Sequence, residues 1–90
     1  MKVWGIIKKD HRIQNDIVAD FAVKREECTD WRSIIGSIAG SLDLSRPVVL
    51  KKHIQELHDF SRTVFKPSDF MESVAFDRFE IEIFPEKSKK

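Results

Sequence analysis

Trp31-Arg32-Ser33-Ile34-Ile35-Gly36-Ser37-Ile38-Ala39-Gly40-Ser41-Leu42 is the stretch that decides the fold. Across residues 29–44, Trp31, Ile34, Ile35, Ile38 and Leu42 recur at helical spacing and form one apolar stripe. The opposite side carries Ser33, Gly36, Ser37, Gly40 and Ser41, where a surface helix usually carries charge. Each interior glycine costs a helix about 1 kcal/mol relative to alanine, so the small face suggests a close approach by another surface. Thr29 or Asp30 can cap this helix, and the acids Glu26, Glu27 and Asp30 suit its positive end.

Upstream, Val3 to Lys9 and Ile13 to Lys24 are rich in β-formers, with Ile17, Ala19, Phe21 and Val23 on one alternating face. The polar Lys8-Lys9-Asp10-His11-Arg12 reads as a hairpin tip, without the Asn-Gly or Asp-Gly pair that would set its turn type. Downstream, the first helix stops near Asp43-Leu44, and Ser45-Arg46-Pro47 opens a second, Pro47 fitting its first turn. The inner stripe of that helix is Leu50, His53, Ile54, Leu57, Phe60 and Val64, with Lys52–Glu56 as an i,i+4 ion pair outside. The helix dissolves over 62–65, and Pro67-Ser68-Asp69 predicts a short helical turn carrying Phe70 and Met71.

Phe76 to Phe84 is a strand with Phe79, Ile81 and Ile83 on one face and Arg78, Glu80 and Glu82 on the other. Pro85 ends it, and residues 86–90 form a solvated tail. The order predicts an α+β fold: a small antiparallel sheet, made of the N-terminal hairpin and the C-terminal strand, packed against two helices. A last strand lying beside the hairpin sets Glu80 and Glu82 near Lys8 or Lys24.

Ninety residues suit a single domain, which buries only about 60–65 % of its unfolded surface. Sixteen basic and fifteen acidic residues leave a net charge of +1, so no global field draws nucleic acid or anionic lipid. Cys28 is the lone cysteine, no secretory pattern opens the chain, and no apolar run approaches the roughly 20 residues of a membrane span. A cytoplasmic protein is therefore expected.

Three patterns bear on chemistry. The segment Ile38 to Val49, with its Leu-x-Leu-Ser-Arg turn, resembles the helix-turn-helix of bacterial regulators. That alternative, spanning residues 30–62, makes Ser45, Arg46, Lys51 and Lys52 nucleic-acid contacts. Against it stand Asp43 at the usual glycine position, Lys52 where an apolar side chain is wanted, and no wing after the second helix. His53-Ile54-Gln55-Glu56-Leu57-His58 comes close to a zinc-peptidase pattern, but five residues separate the histidines by about 140° around a helix. His53 then belongs to the edge of the core and His58 to the surface. Cys28 lacks a nearby base, and Glu80 with Glu82 is the ordinary pattern of a solvated sheet face. No metal, cofactor or catalytic residue is indicated. Six phenylalanines between Phe60 and Phe84 are read chiefly as core; the sharper alternative makes Phe65, Phe70, Phe76 or Phe84 part of an exposed patch.

Leu42-Asp43-Leu44-x-x-Pro47, Leu50-x-Lys52, Phe60-x-x-Thr63-x-Phe65, Asp69-Phe70 and Phe76-Asp77-Arg78-x-Glu80-Ile81-Glu82 together resemble a group of short bacterial proteins with no assigned activity. The likeness runs through the regulator-like turn and beyond it, which weighs against DNA binding. Placement at the start of the last strand gives Asp77 and Arg78 a fixed salt bridge or hydrogen bond. The resulting expectation is a non-enzymatic protein-interaction module, self-associating or binding an unidentified protein. Its contact surface is Ser33, Gly36, Ser37 and Gly40, or an exposed sheet edge.

Overall fold

β1 (Lys2–Lys9) and β2 (Arg12–Asp20) form the expected antiparallel hairpin, turning at Asp10-His11. Both turn residues take left-handed φ, 54° and 66°, as a two-residue type I′ turn requires. Neither is glycine, and an outside contact helps hold the turn: the Asp77 carboxylate accepts the Asp10 N–H at 2.6 Å. Asp77 in turn donates its own N–H to the Lys8 carbonyl at 2.9 Å, so this aspartate makes the fixed contact expected of it. The register shifts between Ile7 and Lys8, leaving Gln14 as an extra residue that bends β2. The structure, a computed structural model, describes residues 1–24 and 27–84. The readings of Glu26, Pro85 and the 86–90 tail lie outside the described residues.

α1 (Trp31–Ser41) starts at Asp30, whose carboxylate accepts the Ser33 N–H at 3.2 Å and the Ser33 hydroxyl at 2.7 Å. It ends in a Schellman turn. Asp43 takes φ 63°, its N–H reaches the Gly40 carbonyl, and the Leu44 N–H reaches that of Ala39. The second helix does not begin at Pro47. Pro47 is drawn instead into a backbone bridge with Phe70, and the Val48 N–H donates to the Asp69 carbonyl at 2.7 Å. α2 is therefore Lys51–Phe60, and Leu50, assigned to its inner stripe, is an exposed residue at its start.

Two further expectations are corrected at the helix end. Ser61 adopts φ 61° and stops α2, leaving Phe60 70 % exposed instead of in the core. Arg62–Phe65, where the helix is expected to dissolve, is a strand, β3, which takes Val64 out of the α2 stripe. Its Thr-Val-Phe run favours extended backbone, and alternation buries Thr63 and Phe65 together. β4 (Arg78–Ile83) pairs antiparallel with both β1 and β3, so the order across the sheet is β2-β1-β4-β3. The fold is a four-stranded antiparallel α+β architecture.

Val3, Ile7, Phe79, Ile81, Ile83 and Phe65 line the sheet face under the helices, meeting Ile34, Ile35, Ile38, Leu42 and Leu57 in one core. Ile17, Ala19, Phe21 and Val23 pack against its border, as their alternation predicts. α1 comes down on Gly5: a Cβ there would overlap Ile38 Cγ2 and touch Phe79 and Leu42. Pro67–Asp69 forms the expected short helical turn, here a 3₁₀ turn, and buries Phe70 edge-on to Phe76 with ring centroids 5.3 Å apart. Phe65, Phe70 and Phe76 are thus core, not patch.

Candidate interaction surface

β1 contains the run Val3-Trp4-Gly5-Ile6-Ile7, apolar on both of its faces. Such a strand suits a sheet covered on two sides, yet both helices pack against the Val3–Gly5–Ile7 face. No helix among the described residues covers the other face. Cross-strand register places on it Trp4, Ile6, Ile13, Val18 and Val64, together with Lys2, Lys8, Asp16, Asp20, Arg62, Glu80 and Glu82. Phe84 joins them by stacking on Trp4, with ring centroids 6.0 Å apart and the planes 13° from parallel. The indole N–H of Trp4 donates to Asp16 at 2.8 Å, which ties the ring to β2.

Glu80 sits near the middle of this face and is only 3 % exposed. Lys8 Nζ lies 3.3 Å from its carboxylate, and Arg62 and Arg78 each approach to 3.5 Å. Three cations around one buried carboxylate satisfy the desolvation requirement of that charge, while their own heads stay partly in water. The expected proximity of Glu80 to Lys8 is thus realised. The same cluster ties up Glu80, and Glu82 stands opposite Arg62 and Trp4 in the register, so the two glutamates do not converge as an acid–base pair. The charges balance within each half of the face: Lys2 and Lys8 with Asp16 and Asp20 on β1–β2, and Arg62 and Arg78 with Glu80 and Glu82 on β3–β4.

The small face of α1 is divided. Gly36 is buried, and the space a Cβ would take is filled by the Arg46 side chain, whose Nε would lie 2.5 Å away. Gly36 therefore makes room for an arginine of the same chain. Around Gly40 nothing lies within 4 Å of a Cβ position, and Ser33 and Ser37 are exposed beside it. Of the residues read as nucleic-acid contacts, Ser45 and Arg46 lie on the connection between the helices, and Lys51 and Lys52 open α2. That connection runs from Leu42 to Leu50 and is pinned to Asp69 and Phe70, so the tight turn of a helix-turn-helix is replaced by a long strap.

His53 and Asp69 make a second cluster, on the helix side. His53 is the third residue of α2, and its Nδ1 accepts the Leu50 N–H at 2.9 Å. Asp69 does the same for its own 3₁₀ turn, accepting the Lys66 N–H at 2.9 Å. Each side chain thus closes a helix start, and the remaining ring nitrogen of His53 faces the capping oxygen of Asp69: His53 Nε2 is 3.6 Å from Oδ2, which already accepts the Lys66 N–H. That is too long for a hydrogen bond, and Nε2 is buried without a partner. The ring also lies against Phe65, centroid to centroid 4.2 Å.

Burial holds the His53 pKa below the ordinary imidazole value of 6.5; Lys52 adds to the shift, while Asp69 and Glu56 oppose it. In the unfolded chain the ring takes a proton near 6.5, whereas in the fold it resists until lower pH. Stability is therefore full above about pH 6.5 and falls as pH drops below that value. Asp30 and Asp59 behave differently. Hydrogen bonds from Ser33 and from Gln55, respectively, hold their pKa below 3.8, so their contribution persists until the solution is more acidic than that. Urea midpoints measured from neutral pH down to about 4.5 should fall in the parent and flatten in His53→Phe. A parent curve with no slope over that window would exclude a buried neutral histidine.

Cys28 is half-buried, and burial is the main reason its thiol pKa is raised, so the helix start beside it does not activate it. His58 is exposed and points to Asp59 at 3.3 Å, away from His53. Among the described residues no group of three histidine, cysteine, aspartate or glutamate side chains is placed to hold a metal ion. No helix among them is long and apolar enough to cross a membrane. No protein-family model, curated protein or solved structure matches the chain.

Proposed function

We propose that the protein is an interaction module that pairs with a second copy of itself through the uncovered face of its sheet. One observation carries this: Trp4, Ile13, Val18, Val64 and Phe84, with Ile6 buried beneath them, share a sheet face on which no helix among the described residues lies. An antiparallel sheet facing water alternates apolar and polar residues, and β1 does not. A two-fold axis along the strand direction lays β2 of one copy over β3 of the other, with the apolar residues between them.

This surface replaces the serine–glycine face of α1 in the proposal, because Gly36 is already occupied by Arg46. It also replaces the free edge of β2, where the bulge at Gln14 and the charges of Arg12, Asp16 and Asp20 disfavour strand pairing. Light scattering should give twice the 10.5 kDa of the chain. Val18 is 51 % exposed, so Val18→Asp should return the mass to that of one chain, keep a cooperative melt, and remove the dependence of melting temperature on protein concentration. A parent protein of single-chain mass at its highest soluble concentration would overturn the reading.

A further inference from the structure

A groove of about 540 Å³ runs between α2 and β3, at the opposite side of the sheet from β2. Lys52, Glu56 and Phe60 form its helix wall, and Arg62, Thr63, Val64 and Lys66 its strand wall. We propose that this groove takes an extended, acidic peptide segment of a partner protein, which adds to the sheet as a further strand beside β3. The site adjoins the sheet face that pairs two copies: Arg62 and Val64 border both, whereas Lys52, Glu56, Phe60 and Lys66 belong to the groove alone.

The backbone supplies the first argument. The Ile83 N–H donates to the Ser61 carbonyl at 2.7 Å, and the register continues as Thr63↔Ile81 and Phe65↔Phe79. Alternation in an antiparallel ladder then turns the N–H and C=O groups of Arg62 and Val64 away from β4, toward the free edge. Their outward groups are the template for one more strand. The edge stops at Lys66, whose N–H is taken by Asp69, so any added strand is short and needs side-chain contacts as well.

The side chains supply the second. Glu56, the groove's acid, does not pair with Lys52 as helical spacing suggests; it accepts the Thr63 hydroxyl at 2.5 Å and is held against the strand. Lys52 and Lys66 have no carboxylate partner among the described residues, whereas Arg62 is paired with Glu80. Two cations thus face one internally bonded acid. Phe60, whose ring packs into no core, offers an apolar wall beside those charges. Acidic side chains on an extended segment would meet Lys52 and Lys66, and alternate apolar ones would meet Phe60 and Val64.

The test uses fluorescence anisotropy with three labelled probes: a short peptide alternating valine and glutamate, its valine–lysine counterpart, and the acidic peptide N-methylated on its backbone. The acidic peptide should bind saturably and more weakly as salt rises. The lysine and N-methylated peptides should each bind at least about tenfold more weakly. Lys52→Glu combined with Lys66→Glu should cost a similar factor. Val64→Pro removes an outward N–H, leaving the β4 ladder in place, and should abolish binding; circular dichroism checks that the fold survives. Val18→Asp should bind the acidic peptide as the parent does. Absence of saturable binding, equal binding of the lysine peptide, or loss of binding in Val18→Asp with retention in Lys52→Glu/Lys66→Glu overturns the proposal. So does a parent that pairs with itself along β3, seen as a dimer that Val64→Pro dissociates and Val18→Asp does not.

Discussion

Gly5→Ala should destabilise the protein by about 1–3 kcal/mol, and Gly5→Val should abolish its cooperative melt. Gly5 lies on β1, an inner strand held between β2 and β4, so the backbone has neighbours on both sides and cannot yield. α1 crosses directly above it. A Cβ at residue 5 would overlap Ile38 Cγ2, with Phe79 Cε1 at 3.5 Å and Leu42 Cδ1 at 3.6 Å completing the enclosure. Two effects compete. Alanine restricts the unfolded chain, which favours folding by about 0.4–1 kcal/mol. The clash opposes it, and the atom it meets belongs to a β-branched side chain in a helix, which keeps essentially one rotamer. The clash therefore wins. Replacing the obstacle tests the cause: Ile38→Leu conserves volume but removes Cγ2, at a cost below about 1.5 kcal/mol. In that background Gly5→Ala should lose most of its penalty in urea titrations. A Gly5→Ala protein as stable as its parent with Ile38 intact would show that α1 does not sit on Gly5.

α1 thus has two close approaches: on its small face Gly36 admits the Arg46 side chain, and on its apolar stripe the glycine that permits contact with the sheet belongs to the strand. Sequence pattern located the helix, its Asp30 cap, the hairpin and the alternation of β4, because each is a local preference reinforced by burial. Three features escaped it. Pro47 suits a helix start equally well whether or not a distant Phe70 claims its backbone. Phe60 and Val64 fit the α2 stripe arithmetically, and only the left-handed Ser61 reveals that the chain has already changed direction. The third is the burial of Glu80, which needs Lys8, Arg62 and Arg78 from three different strands. Of the candidate surface, only the β-forming character of Val3–Lys9 enters the sequence reading; the unbroken apolarity of Val3–Ile7, which implies a strand with both faces to cover, is the signal that points to it. The helices cover one of them, and which face stays open was fixed by tertiary packing alone.

Phe79→Ala should cost about 3–5 kcal/mol, while Phe60→Ala should stay within about 0.5 kcal/mol of the parent. Both were apolar positions of a periodic pattern, and the structure separates them. Phe79 is wholly buried on β4, the second inner strand. Its ring lies 5.9 Å from that of Phe65 on β3 and 6.2 Å from that of Phe70, so it joins the sheet to the turn that pins the helix connection. Removing it opens a cavity bordered by residues fixed from several directions, which limits collapse. For ninety residues the total stability is about 5–13 kcal/mol, so this change consumes a large share of it. Phe60 ends α2 with most of its ring in water, and truncation to alanine removes little buried area. Urea titrations of the two variants, compared at equal m-value, give the contrast directly. Equal losses would place Phe60 in the core, extend α2 beyond Ser61, and remove both β3 and the groove beside it.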